Sequence, residues 1–134
     1  MKKEKQIKVL IVNPMEIPYV TVLENELATF QGVVGGYIEC VNLSDTATII
    51  CNEEGKIDRL PLNRALYTPS GEMFDIVAGT FIIAGDDFES GEFVSLTDEE
   101  IEQYTNQFYY PEAFVRIGED IEAIKVPVDE DEGE

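Results

Sequence analysis

The sequence has 134 residues, of which 44% are hydrophobic, so we expect one folded domain rather than a disordered chain. Its formal net charge of −19, from 28 acidic and 9 basic residues, disfavours direct binding to nucleic acids and anionic membranes. The sequence contains no histidine, which excludes the commonest general base, the commonest zinc ligand and every nucleophile pair that uses histidine.

The first predicted elements are a strand and a helix. The β-branched run at residues 7–12 ends in an Asn-Pro turn, which indicates a buried central strand. Pro18 can begin a helix. Apolar residues recur after it at three- and four-residue spacing, namely Val20, Leu23, Leu27 and Phe30. We therefore expect a helix of about three turns that ends near Gly32.

A β-hairpin is predicted next, from runs at residues 37–43 and 46–51 that flank the polar pair Ser44-Asp45. If those two residues form the loop, Cys40 and Cys51 lie on the same face of adjacent strands. Core packing is favoured over a redox pair, because a reducing compartment keeps thiols reduced. The sequence has no apolar run long enough for a signal peptide or a membrane span, so we expect a cytoplasmic protein that does not bind membranes.

The middle of the chain is less regular. Leu60–Arg64 contains Pro61, which favours a short helical turn or an irregular loop over a central strand. Residues 76–84 are almost all apolar and predict one buried strand that contains Gly79.

The clearest local signal is a helix start at Thr97. Thr97 can cap the helix, Glu100 completes a capping box, and Leu96 can pack against Ile101. Pro111 stops this helix or begins a new turn.

The predicted fold class is therefore α+β, a single small domain. It has a mixed, mostly antiparallel sheet, a helix after the first strand and a second helix near the C-terminus. We expect a basic extension at residues 1–6, the domain at 7–126 and a disordered acidic tail at 127–134. Strand order and oligomeric state stay open.

One group of polar residues near predicted strand ends is a candidate ligand site. It comprises Asn52, Glu53, Lys56, Asn63, Arg64 and Asp75. Carboxylates could act as bases, the cations could hold an anion, and the amides could read a base edge. Ordinary turn chemistry and surface pairing is the favoured alternative. For Arg64, a structural carboxylate partner is favoured over a ligand.

A second candidate is an acidic surface, because residues 65–115 contain no lysine or arginine. Its proposed members are Asp86, Asp87, Glu89, Glu92, Asp98, Glu99 and Glu100. The segment 85–92 is rich in oxygen ligands but lacks EF-hand spacing, so a solvated loop is favoured over a metal site. We predict neither a metal nor any other cofactor.

The order of five motifs resembles a domain-of-unknown-function family of small proteins carried by bacterial phages, plasmids and conjugative elements. The motifs are GGYIE, CNEEGK, LPLNRAL, DIVAGTFIIAG and LTDEEIEQY. The resemblance covers roughly residues 7–110 and implies no activity. It implies a mobile-element accessory protein of the bacterial cytoplasm, in an element class that often encodes inhibitors of host defence. The family's recurring polar residues would fall on Glu39, Asn52, Glu53, Asn63, Arg64 and Asp75.

Three functions follow as hypotheses. The favoured one is a binding or inhibitory protein whose acidic surface imitates a nucleic acid and binds a basic host protein. A second is a binder of a small anionic or nucleotide-like ligand around Arg64, Lys56 and Asn63. The least favoured is a metal-assisted enzyme that uses Glu53 or Asp75.

Overall fold

The computed structural model describes residues 3–128, and its largest unit is a six-stranded antiparallel sheet. The strands are β1 (Gln6–Val12), β2 (Tyr19–Glu24), β3 (Ile38–Asn42), β4 (Ala47–Asn52), β5 (Leu62–Tyr67), β6 (Met73–Ala78), β7 (Phe81–Asp87), β8 (Glu92–Val94), β9 (Glu112–Ile117) and β10 (Asp120–Lys125). The helices are α1 (Leu27–Val34) and α2 (Asp98–Gln107).

The main sheet has the order β2-β1-β7-β4-β3, and β8 pairs with the second half of β7. Two antiparallel hairpins, β5-β6 and β9-β10, lie outside this sheet. The predicted α+β class with a mostly antiparallel sheet is confirmed. None of the helices within residues 3–128 is long and apolar enough to cross a membrane.

The core lies on both faces of the central strand β7. Ile82 and Ala84 pack with Phe30 and Val34 of α1 on one face. Phe81 and Ile83 point to the other face, where they pack with α2 and the β5-β6 hairpin. Successive strand residues alternate between faces, so a continuous apolar run is what a strand covered on both faces requires.

The predicted helix from Pro18 is wrong in its first half. Tyr19–Glu24 forms β2, which pairs with β1 from Gln6↔Glu24 to Ile11↔Tyr19. The aromatic and β-branched residues in this segment suit a strand, and pairing with β1 overrides the helical spacing of the apolar residues. The helix begins only at Leu27 and ends at Val34, where Gly35 takes φ +85°.

The predicted hairpin register is also wrong, by one residue. Cys40 lies opposite Ile50, and Glu39 lies opposite Cys51. The loop has three residues rather than two, because the Leu43 amide donates to the Ala47 carbonyl. A slip of one residue moves each side chain to the other face. Cys51 is therefore buried, whereas Cys40 is exposed on the opposite face.

The expected loop at Leu60–Arg64 is instead the start of β5, and the expected single strand at residues 76–84 is two strands. Pro61 precedes the first residue of β5, so it removes no hydrogen bond from the β5-β6 ladder. Gly79 has φ +83°, which ends β6 and turns the chain into β7 of the other sheet.

The predicted helix start at Thr97 is confirmed. The Thr97 hydroxyl accepts from the Glu100 amide at 3.1 Å, and Glu100 Oε1 accepts from the Thr97 amide at 2.9 Å. Leu96 and Ile101 pack in the same core cluster. The hairpin that follows α2 was not predicted. Residues 129–134 of the predicted tail and residues 1–2 of the basic extension lie outside the described residues.

The capping box yields a stability prediction. Thr97→Ala should lower the free energy of unfolding by about 1 kcal/mol, because the Glu100 amide loses its acceptor. Urea denaturation followed by circular dichroism measures this. Thr105→Ala is the control within α2 and should leave stability unchanged or slightly higher, because alanine is the better helix former. Equal losses in both variants would contradict a capping role.

The corrected register yields a prediction about the thiols. Burial raises the pKa of Cys51 to about 12, and burial, followed by the nearby Asp86 carboxylate, raises the pKa of Cys40. The thiolate is the reactive form, so Cys40 should be alkylated slowly at about pH 8 and faster as the pH rises, and Cys51 only after unfolding. Mass spectrometry of alkylated protein checks this. Equal alkylation rates in the native protein, or an intrachain disulfide, would contradict the register.

Candidate functional sites

Two concave surfaces contain eight of the thirteen candidate site residues that the sequence singled out. We call the first the strand-end cavity. It has a volume of about 260 Å³ and lies between the end of β4, the turn that follows it, and β6. We call the second the acidic groove. It is an open depression of about 590 Å³ between the β3–β4 loop, the β7-β8 hairpin and the start of α2.

The strand-end cavity brings together four of the six predicted ligand-site residues. They are Asn52, Glu53, Lys56 and Asp75, and Glu39 and Glu54 join them. The Lys56 ammonium lies 2.5 Å from Asp75 Oδ1, which also accepts from the Ile76 amide at 2.8 Å. Four carboxylates therefore surround one cation that is already paired. This charge balance does not favour an anionic ligand.

Asn52 has a structural position in this cavity. Its Nδ2 donates to the Val34 carbonyl at 3.1 Å, and its Oδ1 accepts from the Glu54 amide at 2.7 Å. The side chain is 8% exposed and links the end of α1 to the turn after β4. Gly36 is required beside it, because a Cβ there would lie 2.9 Å from Asn52 Nδ2.

Asn63 and Arg64 lie elsewhere, which corrects the prediction of one pocket around Arg64, Lys56 and Asn63. Both residues have 0% exposure and neither lines the strand-end cavity. Asn63 Nδ2 donates to the carbonyls of Val12 at 2.9 Å and Gly79 at 2.8 Å. Its Oδ1 accepts from Arg64 Nη1 at 2.8 Å. Asn63 thus links β5 to β1 and to the β6–β7 turn.

The Arg64 guanidinium is bound by carbonyl oxygens rather than by the predicted carboxylate. Its Nε and Nη2 donate to the Phe108 carbonyl at 3.1 and 2.9 Å, and Nη2 also donates to the Glu16 carbonyl at 2.7 Å. Burial lowers the pKa of Arg64, and the nearby Glu112 carboxylate partly offsets this. Phe108 is the C-cap of α2, so the cation lies at the negative end of the helix dipole.

The acidic groove contains four of the seven predicted acidic-surface residues. Its carboxylate residues are Glu4, Asp45, Asp86, Asp87, Glu89 and Glu100, and no lysine or arginine of the described residues lines it. Asp98 and Glu99 are exposed outside it, in the first turn of α2, and Lys8 Nζ lies 3.9 Å from Asp98 Oδ1. Glu92 lines a separate cavity that includes Lys3.

Two acidic residues of the groove have structural contacts. Asp87 closes the β7-β8 turn by accepting from the Glu89 amide at 3.1 Å and the Ser90 hydroxyl at 3.0 Å. Glu100 accepts from the Thr46 hydroxyl at 2.5 Å as well as capping α2. Asp45, Asp86 and Glu89 accept no side-chain hydrogen bond from residues 3–128, so their carboxylates are available to a partner.

Glu4 and Asp45 were missed by the sequence analysis. Glu4 belongs to the basic start of the chain, and it reaches the groove because Ser95 donates to its Oε1 from both the amide and the hydroxyl at 3.1 Å. The sequence predicts Asp45 only as part of the β-hairpin loop. Within the described part of the chain, no three carboxylate or cysteine side chains are arranged to hold a metal ion.

Residues 7–109 match the family described as a domain of unknown function, DUF3846. The chain belongs to this family. No curated protein and no solved structure matches the chain. The DUF3846 match spans β1 to α2, and so includes the whole main sheet, the strand-end cavity and Arg64. The β9-β10 hairpin lies beyond it.

The buried guanidinium of this DUF3846 protein yields a third prediction. Arg64→Met should lower the free energy of unfolding by about 3 kcal/mol or more, because the buried Phe108 carbonyl and the part-buried Glu16 carbonyl lose their donors. Denaturant unfolding measures the loss. Arg116→Met removes the same charge from an exposed site and should change stability by less than about 0.5 kcal/mol. An Arg64→Met protein as stable as the control would contradict the structural role.

Proposed function

We propose that this protein is a non-catalytic binding protein that uses the acidic groove to bind a basic surface of another protein. The observation that supports this proposal is the groove lining, in which six carboxylate side chains converge and no lysine or arginine of residues 3–128 takes part. The residues come from four separate parts of the chain, so the fold concentrates the charge at one place. Turn formation explains Asp87 and helix capping explains Glu100, but neither explains Asp45, Asp86 and Glu89.

The electrostatics of the groove suit a basic partner. A concave surface of one sign focuses its field and speeds the association of an oppositely charged protein. Such an interaction is salt-sensitive, because ions screen charges separated by more than about 8 Å at physiological ionic strength.

The finer proposal is that the partner is a nucleic-acid-acting host protein. Proteins that bind nucleic acids carry basic grooves, and a row of carboxylates can occupy such a groove in place of phosphates. The resemblance to proteins of mobile elements supports an inhibitory role inside a bacterial cell. Origin from a phage or plasmid and action against host defence are parts of this proposal.

The two other hypotheses receive less support. A small anionic ligand would need cations, but Arg64 is buried and Lys56 is paired with Asp75 among further carboxylates. A metal-assisted enzyme would need clustered ligands. Glu53 and Asp75 do share the strand-end cavity, yet no set of three metal-binding side chains is found among residues 3–128.

The test neutralises the three carboxylates that have no side-chain hydrogen bond. The triple variant Asp45→Asn, Asp86→Asn and Glu89→Gln should lose capture of a basic protein from bacterial lysate, by at least about tenfold at about 50 mM salt. Immobilised wild-type protein should release the same partner at about 500 mM salt. Quantitative mass spectrometry of the captured proteins measures both effects.

The matched control removes three charges elsewhere. Asp58→Asn, Glu102→Gln and Glu119→Gln alter exposed residues outside the groove and change the net charge equally. This control should retain the captured protein. If both triple variants lose it equally, binding depends on net charge and the groove is not the site. If the groove variant retains it, the proposal is wrong.

A further inference from the structure

The outer edge of β2 is an unpaired strand edge of the main sheet. β2 is the terminal strand of that sheet, and no strand of the described residues pairs with its outer side. Residues 17–23 carry no charge, in a chain with 28 acidic residues. Exposed apolar side chains accompany this edge, with Tyr19 49%, Val20 46% and Val22 53% exposed. Unpaired backbone groups beside apolar side chains form a template for another strand.

The other exposed strands are protected against such pairing. β3 carries Glu39, β6 carries Asp75, β9 carries Arg116 and β10 carries Glu122, each inside the strand. β8 has only three residues, and Glu112 binds the Ala65 amide of β5. A charge within an edge strand is the usual device that prevents edge-to-edge association. In β2 the carboxylate belongs to the last residue, Glu24, so residues 19–23 carry no charge that would oppose pairing. This contrast singles out β2.

We propose that β2 pairs antiparallel with β2 of a second copy of this chain, forming a dimer with a continuous sheet. Directly opposed residues of an antiparallel pair lie on the same face of the sheet. If a twofold axis perpendicular to the sheet relates two copies of β2, one residue must therefore lie directly opposite its own copy, with the axis between them. An axis at Thr21 places Val20 opposite the partner's Val22 and Tyr19 opposite the partner's Leu23. Apolar and aromatic cross-strand pairs of this kind stabilise a sheet.

The self-complementarity of this register identifies a second copy of the chain as the partner of β2. With the axis at Thr21, Glu24 lies opposite the partner's Pro18, beyond the apolar pairs. An axis at Val22 would instead place Val20 opposite the partner's Glu24. The Thr21 register therefore buries the apolar side chains of β2 against their own copies and keeps both Glu24 carboxylates at the ends of the paired segment.

The charge around this edge permits close approach of two acidic chains. Lys8 lies directly opposite Val22 in the β1-β2 pair, and the Lys5 carbonyl accepts from the Asn25 amide at the end of β2. Lys3 lines the cavity beside Asn25. Three of the nine basic residues thus lie beside this edge, whereas none of those that the structure describes lines the acidic groove. Asp98 lies 3.9 Å from Lys8 Nζ, so the three lysines offset most of the negative charge of Asp98, Glu4, Glu24 and Glu26 nearby.

Sedimentation velocity from roughly 1 µM to 1 mM tests the dimer, because a single strand pair is a small interface and should dissociate on dilution. The double variant Val20→Lys and Val22→Lys should be monomeric throughout that range. The two lysines change the net charge from −19 to −17. Overall repulsion between two copies is therefore weaker in the variant and cannot explain a loss of dimerisation. The control, Ile57→Lys with Ile117→Lys, makes the same charge change at residues 78% and 60% exposed, and should dimerise as wild type does.

Disulfide trapping tests the register independently. In a Cys40→Ser background, Thr21→Cys should give a covalent dimer on mild oxidation, because residue 21 lies opposite itself. Val22→Cys should not, because two copies of residue 22 lie at diagonal positions about 7–8 Å apart. Circular dichroism shows whether each variant is folded.

The outcomes separate clearly. Dimerisation lost only in the β2 lysine variant, together with trapping at residue 21, supports the proposal. A wild-type protein that stays monomeric at the highest concentration overturns it. A dimer that survives the two β2 lysines, or trapping at residue 22 but not 21, overturns it as well, and so does a monomer whose β2 edge binds a strand of a different protein.

Discussion

The structure depends on three consecutive residues of β5 whose hydrogen bonds reach five other parts of the chain. Asn63 links the strand to β1 and to the β6–β7 turn, and Arg64 links it to the end of α2 and to the segment before β2. The Ala65 amide donates to Glu112 Oε1 at 2.9 Å, which attaches the start of β9. Because one charged group satisfies several carbonyls in the interior, removing it would leave unpaired acceptors in several elements at once.

This buried cation also explains why α2 needs no basic residue of its own. Its first turn carries Asp98, Glu99 and Glu100, which suit the positive end of the helix dipole, and its last turn carries no base. Arg64 supplies the positive charge at that end from a different element. The same helix then presents Glu100 to the acidic groove, so the interaction that holds α2 in place also positions part of the proposed binding surface.

The two proposed surfaces differ in charge. The β7-β8 hairpin, the β3–β4 loop and the start of α2 concentrate carboxylates. The β1-β2 edge combines the uncharged residues 19–23 with three of the N-terminal lysines. A strongly acidic chain needs such segregation if it is to bind a basic partner and still approach its own copy. The groove residues Asp45, Asp86 and Glu89 lie outside β2, so each surface can be disrupted without the other.

The sequence by itself determined the features that depend on neighbours along the chain: the first strand, the capped helix at Thr97, the α+β class and the extreme acidity. Part of each candidate site was also visible, since Asn52, Glu53 and Lys56 follow the run that forms β4 and residues 86–100 form one acidic stretch. Tertiary structure decided the rest, because it depends on pairing. Only pairing with β1 makes Tyr19–Glu24 a strand, and only a three-residue loop places Cys40 and Cys51 on opposite faces. Only the packing of β5 against α2 turns Arg64 from a candidate ligand-binding residue into a buried structural one, since burial depends on contacts between residues far apart in the chain.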